Sequence, residues 1–172
     1  MVDDRGSRSS GRIERIWIKR AHRGPMDPAF EAALVVDHGL AGNVDRSRRR
    51  QVTLFELEAW TQATADVSAV VDPATRRANI LVSGIALAHT RGRTLQVGGA
   101  RVCIGGELTP CERMDEARPG LRVALIPDWR GGVFAHVTAA GSIRVGDIVR
   151  WESPPDPTAR DATTTRSSEI HP

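Results

Sequence analysis

Between Ile13 and Trp151 the chain is a succession of short apolar runs, each closed off by Gly, Pro or Asp: Ile13 to Ile18, Ala32 to Val36, Gln51 to Leu54, Ile80 to Val82, Thr94 to Val97, Ala100 to Glu107, Val133 to Thr138 and Asp147 to Trp151. Runs this short bury a face as strands but not as helices, so the pattern predicts a mainly antiparallel β structure. Thr94 to Val97, Gly98-Gly99, and Ala100 to Val102 have the spacing of a tight hairpin, with two glycines to supply the positive φ angles of a primed turn. Helical periodicity is confined to Phe55 to Ala63, a stretch after Cys111, and a weaker one at Gly120 to Leu125. Many short strands and few helices are best satisfied by a closed or nearly closed antiparallel β-barrel with a few short helices on its rim, because closure removes exposed strand edges.

The chain has 172 residues, enough for one domain and too few for two of ordinary size. Residues 1–12 are polar and aperiodic, and 153–172 are rich in Pro, Thr, Asp and Ser; both are expected to be disordered tails around a body spanning 13–152. With 40% hydrophobic but only 4% aromatic residues and no Tyr, the core is expected to rest on Val, Ile, Leu and Ala. The first residues hold no apolar signal segment and no run approaches a membrane span, so a cytoplasmic protein with no membrane association is expected.

The net charge is +3, and the cations are arginines with the single exception of Lys19. Arg suits phosphate, which it grips with a bidentate fork. The densest charge is Arg46, Arg48, Arg49 and Arg50, which reads as an anion grip, as a nucleic-acid contact or as a solvated loop. No aromatic residue interleaves with it, which disfavours a single-strand nucleic-acid platform.

Two cysteines are present. Cys103 lies in the apolar run Val102-Cys103-Ile104 and reads as a strand residue, whereas Cys111 follows Pro110 and opens Cys111-Glu112-Arg113-Met114-Asp115, the expected start of a short helix. A thiol at a helix N-terminus is biased toward thiolate, and Arg113 adds to that, while Glu112 and Asp115 oppose it. The competing reading is a half-buried loop cysteine. His22, His38, His89, His136 and His171 show no metal spacing with either cysteine, so a zinc site is not expected.

Five segments occur in a fixed order: Asn79 to Ile85, Leu95 to Ala100, Gly106-Glu107 with Pro110 to Met114, Arg130 to Val137, and Gly141 to Val149. Together they resemble the MOSC domain, named for the C-terminal domain of molybdenum cofactor sulfurases, over about Ile13 to Trp151. The resemblance implies a β-barrel and a role in molybdenum cofactor chemistry. It gives Cys111 two possible uses: carrier of a persulfide for cofactor sulfuration, or thiolate ligand to molybdenum in enzymes that reduce N-hydroxylated bases, amidoximes and hydroxylamines. Arg77 and Asn79 match the family's Arg-x-Asn element and are implied contacts to pterin or phosphate, with Arg76 ranked below them as their neighbour. Gly39 to Arg46 resembles a family segment leading into the Gln51 to Leu54 strand, departing from it with Asn43-Val44 before Asp45, and Arg46 is carried over as a cofactor contact.

Further candidates are Ser83 and Gly84 for a hydroxyl and an approachable backbone, Arg113 beside the cysteine, and Arg130, Gly131 and Gly132 lining the same pocket. His136 is the candidate proton donor. No pyridoxal phosphate is expected, since the lone lysine lacks the context of a Schiff-base residue. Sulfur would come from a separate cysteine desulfurase, or electrons from an electron-transfer protein, with a small molecule as substrate.

Overall fold

The computed structural model describes residues 9–153. The residues before and after, which hold most of the two expected tails, lie outside that range. The first strand β1 (Ser9–Lys19) already includes Ser9 to Arg12, so the ordered body begins earlier than composition suggests. These four polar residues are held by neighbours on both sides: Ser10 to Arg12 pair with the last strand and Ser9 and Arg12 with the strand at 80–85.

After β1 come β2 (Met26–Ala29), β3 (Glu31–Val35), β4 (Gly39–Leu40) and β5 (Val52–Glu56). Helix α1 (Leu57–Asp66) and a 3₁₀ turn (Pro73–Arg76) lead to β6 (Ile80–Ile85), β7 (Thr94–Val97) and β8 (Ala100–Glu107). Helices α2 (Arg113–Ala117) and α3 (Leu121–Ala124) precede β9 (Val133–Ala139), β10 (Gly141–Arg144) and β11 (Ile148–Trp151). The expected strands are all present. Sequence reading did not assign β2, which contains Pro28, the two-residue β4, or β10. Pro28 is tolerated because β2 is the outermost strand beside β1.

Strands β1, β6, β5, β9, β8, β7 and β11 pair in that order, and β11 returns to β1, closing a seven-stranded barrel; β10, β3 and β4 form a separate small sheet. The barrel is mixed, because β5 and β6 run parallel with Leu54 opposite Ile80. A parallel pair needs a long crossover, and α1 with the 3₁₀ turn provides it. Helix α1 starts two residues later than its periodicity suggests, because Phe55 and Glu56 complete the ladder with Leu81 and Val82.

Two apolar clusters result. The barrel interior is filled by Ile, Leu, Val and Ala, among them Ile13, Leu54, Ile80, Leu95, Ile104 and Val149. The second lies between the outer barrel wall and the helices and is partly aromatic: Trp17, Phe55 and Trp60 with Leu81, Met114 and Leu121. Phe55 lies 6.1 Å from Trp17 and meets Trp60 edge-on at 5.8 Å. Three of the seven Trp and Phe residues thus lie where the helices cap the barrel. No helix among the described residues is long and apolar enough to cross a membrane.

In the β7–β8 hairpin only Gly98 takes a positive φ, of 54°. Gly99 serves close approach instead, since its N–H donates to the Ser142 carbonyl at 3.0 Å. A tighter constraint falls at the seam, where Gly11 of β1 faces Val149 of β11 and a Cβ there would stand 1.8 Å from the Ser83 carbonyl oxygen. Gly11→Ala therefore has to push β6 away from β1. A loss of about 1–3 kcal/mol, as for other overpacked sites, is expected in urea unfolding; an unchanged midpoint would show that the seam is not closed as described.

Candidate functional site

At the rim where the helical cap meets the barrel, a cleft of about 330 Å³ is lined by the end of β1, the 43–46 loop, the start of β5, the Arg76–Asn79 segment and the loop into α2. Cys111 is on its wall and exposed. Helix α2 begins at Arg113, so Cys111 stands outside it, its carbonyl accepting from the Met114 N–H at 3.0 Å. A helix of five residues contributes little macrodipole, so charge around the thiol must come from side chains.

The side chain that does most here is Arg76, only 5% exposed. Its Nε donates to the Gly131 carbonyl at 2.7 Å and its Nη2 to the Leu108 carbonyl at 2.8 Å, tying the loop before β9 to the loop that carries Cys111. Burial lowers its pKa to about 10, a negative Cys111 opposes the shift, and the nearby Arg50 cation adds to it. It remains cationic at neutral pH. Like charges crowded beside a thiol make a place that favours an anion.

Arg77 holds a left-handed backbone (φ 59°, ψ 34°) and its Nη2 donates to the Gly24 carbonyl at 2.6 Å. Asn79 is 5% exposed and committed to the protein. Its Oδ1 accepts from the Thr53 N–H and hydroxyl at 3.2 and 3.1 Å, and its Nδ2 donates to Trp17 O at 3.2 Å and Asn43 Oδ1 at 3.0 Å. Asn43 Oδ1 also accepts the Lys19 N–H at 2.8 Å, and Arg46 Nη1 donates to the Asn43 carbonyl at 2.7 Å. The departure from the family pattern at Asn43 therefore serves as a polar hub that fixes the cleft wall.

Of the residues singled out in the sequence, Cys111, Arg46, Arg77, Asn79 and Arg113 line this cleft. Ser83, Gly84, Arg130 and His136 do not. Ser83 Oγ donates to Glu14 at 2.5 Å and the Gly84 N–H to Glu58 at 2.6 Å. Arg130 donates to Asp66 at 2.8 Å and to the Ala124 carbonyl at 3.0 Å, beside a second pocket bordered by Glu56 and Glu58. His136 faces a shallow groove on the outer wall with Arg48, Arg49 and Arg91. Gly131 and Gly132 lie behind the cleft. A Cβ on Gly131 would come 2.7 Å from Leu108 O and 3.2 Å from Arg76 Nη2, so its missing side chain is what lets Arg76 reach both carbonyls.

Sequence reasoning ranked Arg76 below Arg77, and nothing in two adjacent arginines tells which one turns inward. It also passed over Lys19 and Asp45, which line the cleft. Lys19 Nζ forms an ion pair with Asp45, whose other oxygen lies 2.7 Å from His22 Nδ1. These bonds, Lys19 first and His22 second, hold the Asp45 carboxyl below its usual range. The isolated lysine closing the first strand was the available signal.

With this geometry in hand, the comparisons with known proteins agree on the class. The MOSC domain family model matches residues 22–150, and the chain belongs to the MOSC domain family. The YuaD protein from Bacillus subtilis superimposes with a TM-score of 0.70 at 18% identity, covering 81% of this chain and 94% of that one. YiiM from Escherichia coli does so with 0.61 at 15% identity, covering 83% and 70%. YiiM from Geobacillus stearothermophilus gives 0.62 at 12%, covering 82% and 73%. At these identities the likeness establishes the fold. No curated protein sequence matches the chain.

Removing Arg76 strands two buried carbonyls, so Arg76→Leu is expected to cost about 2–4 kcal/mol in urea unfolding, and Arg77→Ala clearly less. Equal losses would refute the assignment of the inward arginine. Asp45 yields a pH prediction. Its folded pKa is depressed, so its stabilising contribution is present above the unfolded value of about 3.9 and disappears as the pH falls through the folded value. Asp45→Asn should accordingly flatten the acid limb of the stability–pH curve below about pH 4, and an acid limb as steep as the wild type's would remove Asp45 from that account.

Proposed function

We propose that the cleft binds molybdenum cofactor, with the Cys111 thiolate as a metal ligand, and that the protein reduces N-hydroxylated small molecules with electrons from an external donor. The observation that carries this reading is an exposed thiol sharing one cleft with the buried Arg76 and with Lys19, Arg46, Arg50, Arg77 and Arg113. The cleft volume falls in the range of about 300–1,000 Å³ usual for small-ligand sites. When bound, the cofactor would supply a two-electron metal centre.

The chain's own residues supply the rest. The guanidinium groups offer charge and N–H donors to a terminal phosphate, and Arg76, fixed by two carbonyls, does so without having to be ordered on binding. The soft sulfur of Cys111 suits a thiophilic metal and is open to it. Reduction of N–OH to N–H consumes two electrons and two protons and releases water. The ion pair of Lys19 and Asp45 stands on this wall, with the His22 ring beside Asp45, whereas His136 lies away from it.

Exposure of Cys111 equally suits a persulfide carrier, and one experiment separates the two. Protein purified from a host that makes the cofactor is expected to hold near-stoichiometric molybdenum that Cys111→Ser loses. Metal-free protein with one cyanide-labile sulfur, absent from the same variant, would replace the reductase reading by sulfur transfer. Finding neither would dispose of both.

A further inference from the structure

The arginine run that sequence reading left open does not all enter the cleft. Arg46 and Arg50 line it, while Arg48 and Arg49 turn to the groove on the outer wall of β8 and β9 with Arg91, Phe134 and His136. The floor of that groove is made of glycine. A Cβ on Gly105 would stand 2.4 Å from Phe134 Cε2, and one on Gly106 would stand 3.2 Å from the same ring and 3.1 Å from Arg91 Nη2. Phe134 thus lies against bare backbone, and the Arg50 guanidinium sits over its ring, 5.6 Å from the centroid. Arg48, Arg49, Arg50 and Arg91 are exposed and form no ion pair among the described residues. Along the outward positions of β8 and β9 the one carboxylate is Glu107.

We infer that this face docks an acidic protein partner, the donor of electrons or sulfur that the cleft chemistry needs. An aromatic residue ringed by guanidinium groups matches the composition of protein–protein hot spots, and unpaired arginines attract carboxylates by charge complementarity. A nucleic acid fits less well, because a single-strand platform stacks bases on free aromatic faces, whereas the Phe134 ring has the Arg50 guanidinium over it and lies against Gly105 and Gly106. Arg50 belongs to both the ring and the cleft, so a partner seated here stands one side chain from the mouth that holds Cys111. The inference rests on the cofactor reading only for the purpose of docking, and the two can fail separately.

The test is binding of a fluorescent polyglutamate peptide to the full chain. With Arg48→Glu/Arg91→Glu the Kd should rise at least about tenfold, against less than about twofold for Arg122→Glu/Arg150→Glu, which changes the charge equally on other faces. Raising the salt should weaken wild-type binding. Cys111→Ser should bind the peptide as the wild type does, even where it has lost its metal or labile sulfur, so a failed cofactor reading leaves this result standing. Equal weakening by both double variants, absence of binding, or tighter binding of an oligothymidylate of matched charge would each overturn the acidic-partner assignment.

Discussion

A guanidinium group held almost entirely inside the protein is the constraint around which the cleft is arranged. Burying a charge is costly unless it is paired or hydrogen-bonded, and Arg76 is satisfied by two main-chain carbonyls from loops far apart in sequence, Leu108 and Gly131. That solution fixes three things together: the loop carrying Cys111, the loop entering β9, and the 3₁₀ turn that presents Arg77 and Asn79. It also leaves a positive charge beside the thiol that pairs with no carboxylate among the described residues. Burial is the main cause of the lowered Arg76 pKa, and the neighbouring Arg50 cation adds to it.

The barrel makes this arrangement possible by separating rigid wall from chemistry. Its interior is filled with aliphatic side chains and holds no cavity used by the site. The cleft forms outside, where the parallel β5–β6 crossover brings α1 and the 3₁₀ turn over the wall and the aromatic cluster of Trp17, Phe55 and Trp60 anchors the cap. Loops on such a scaffold carry function because they are positioned by elements that do not move. Asn43 and Asn79 extend the same principle, joining β1, β5 and the 43–46 loop through their amides.

Much of the architecture is legible in the chain because strand length and alternation are local signals. The runs at 80–82, 94–97, 100–107, 133–138 and 147–151 read directly and match strands to within a few residues, β6 running on through Ser83 and Gly84 to Ile85. Strand β2 is not legible because Pro28 is admissible only on an edge, and whether a strand is an edge is decided by its partners. Helix α1 loses its first two expected residues to β5, since the ladder with β6 holds Phe55 and Glu56 extended. The parallel pairing cannot be seen at all, because direction is a property of two segments and not of either one.

The site divides in the same way. That Cys111 lies among charged residues, and that the chain carries the ordered MOSC segments, follows from residue types and spacing alone, whereas its exposure, left open against a half-buried loop cysteine, is decided by the structure. Which cations surround it does not. Arg76 and Arg77 are adjacent and identical in kind, and only the αL turn at Arg77 and the two carbonyls waiting for Arg76 send one inward and leave the other at the rim. His136 and Arg130, equally plausible in one dimension, are carried to other faces by strand alternation and by the cap. Sequence determined most of the strands and the place of the cysteine among charges, because these are local signals; the closing of the sheet, which brings distant loops to one rim, decided its company.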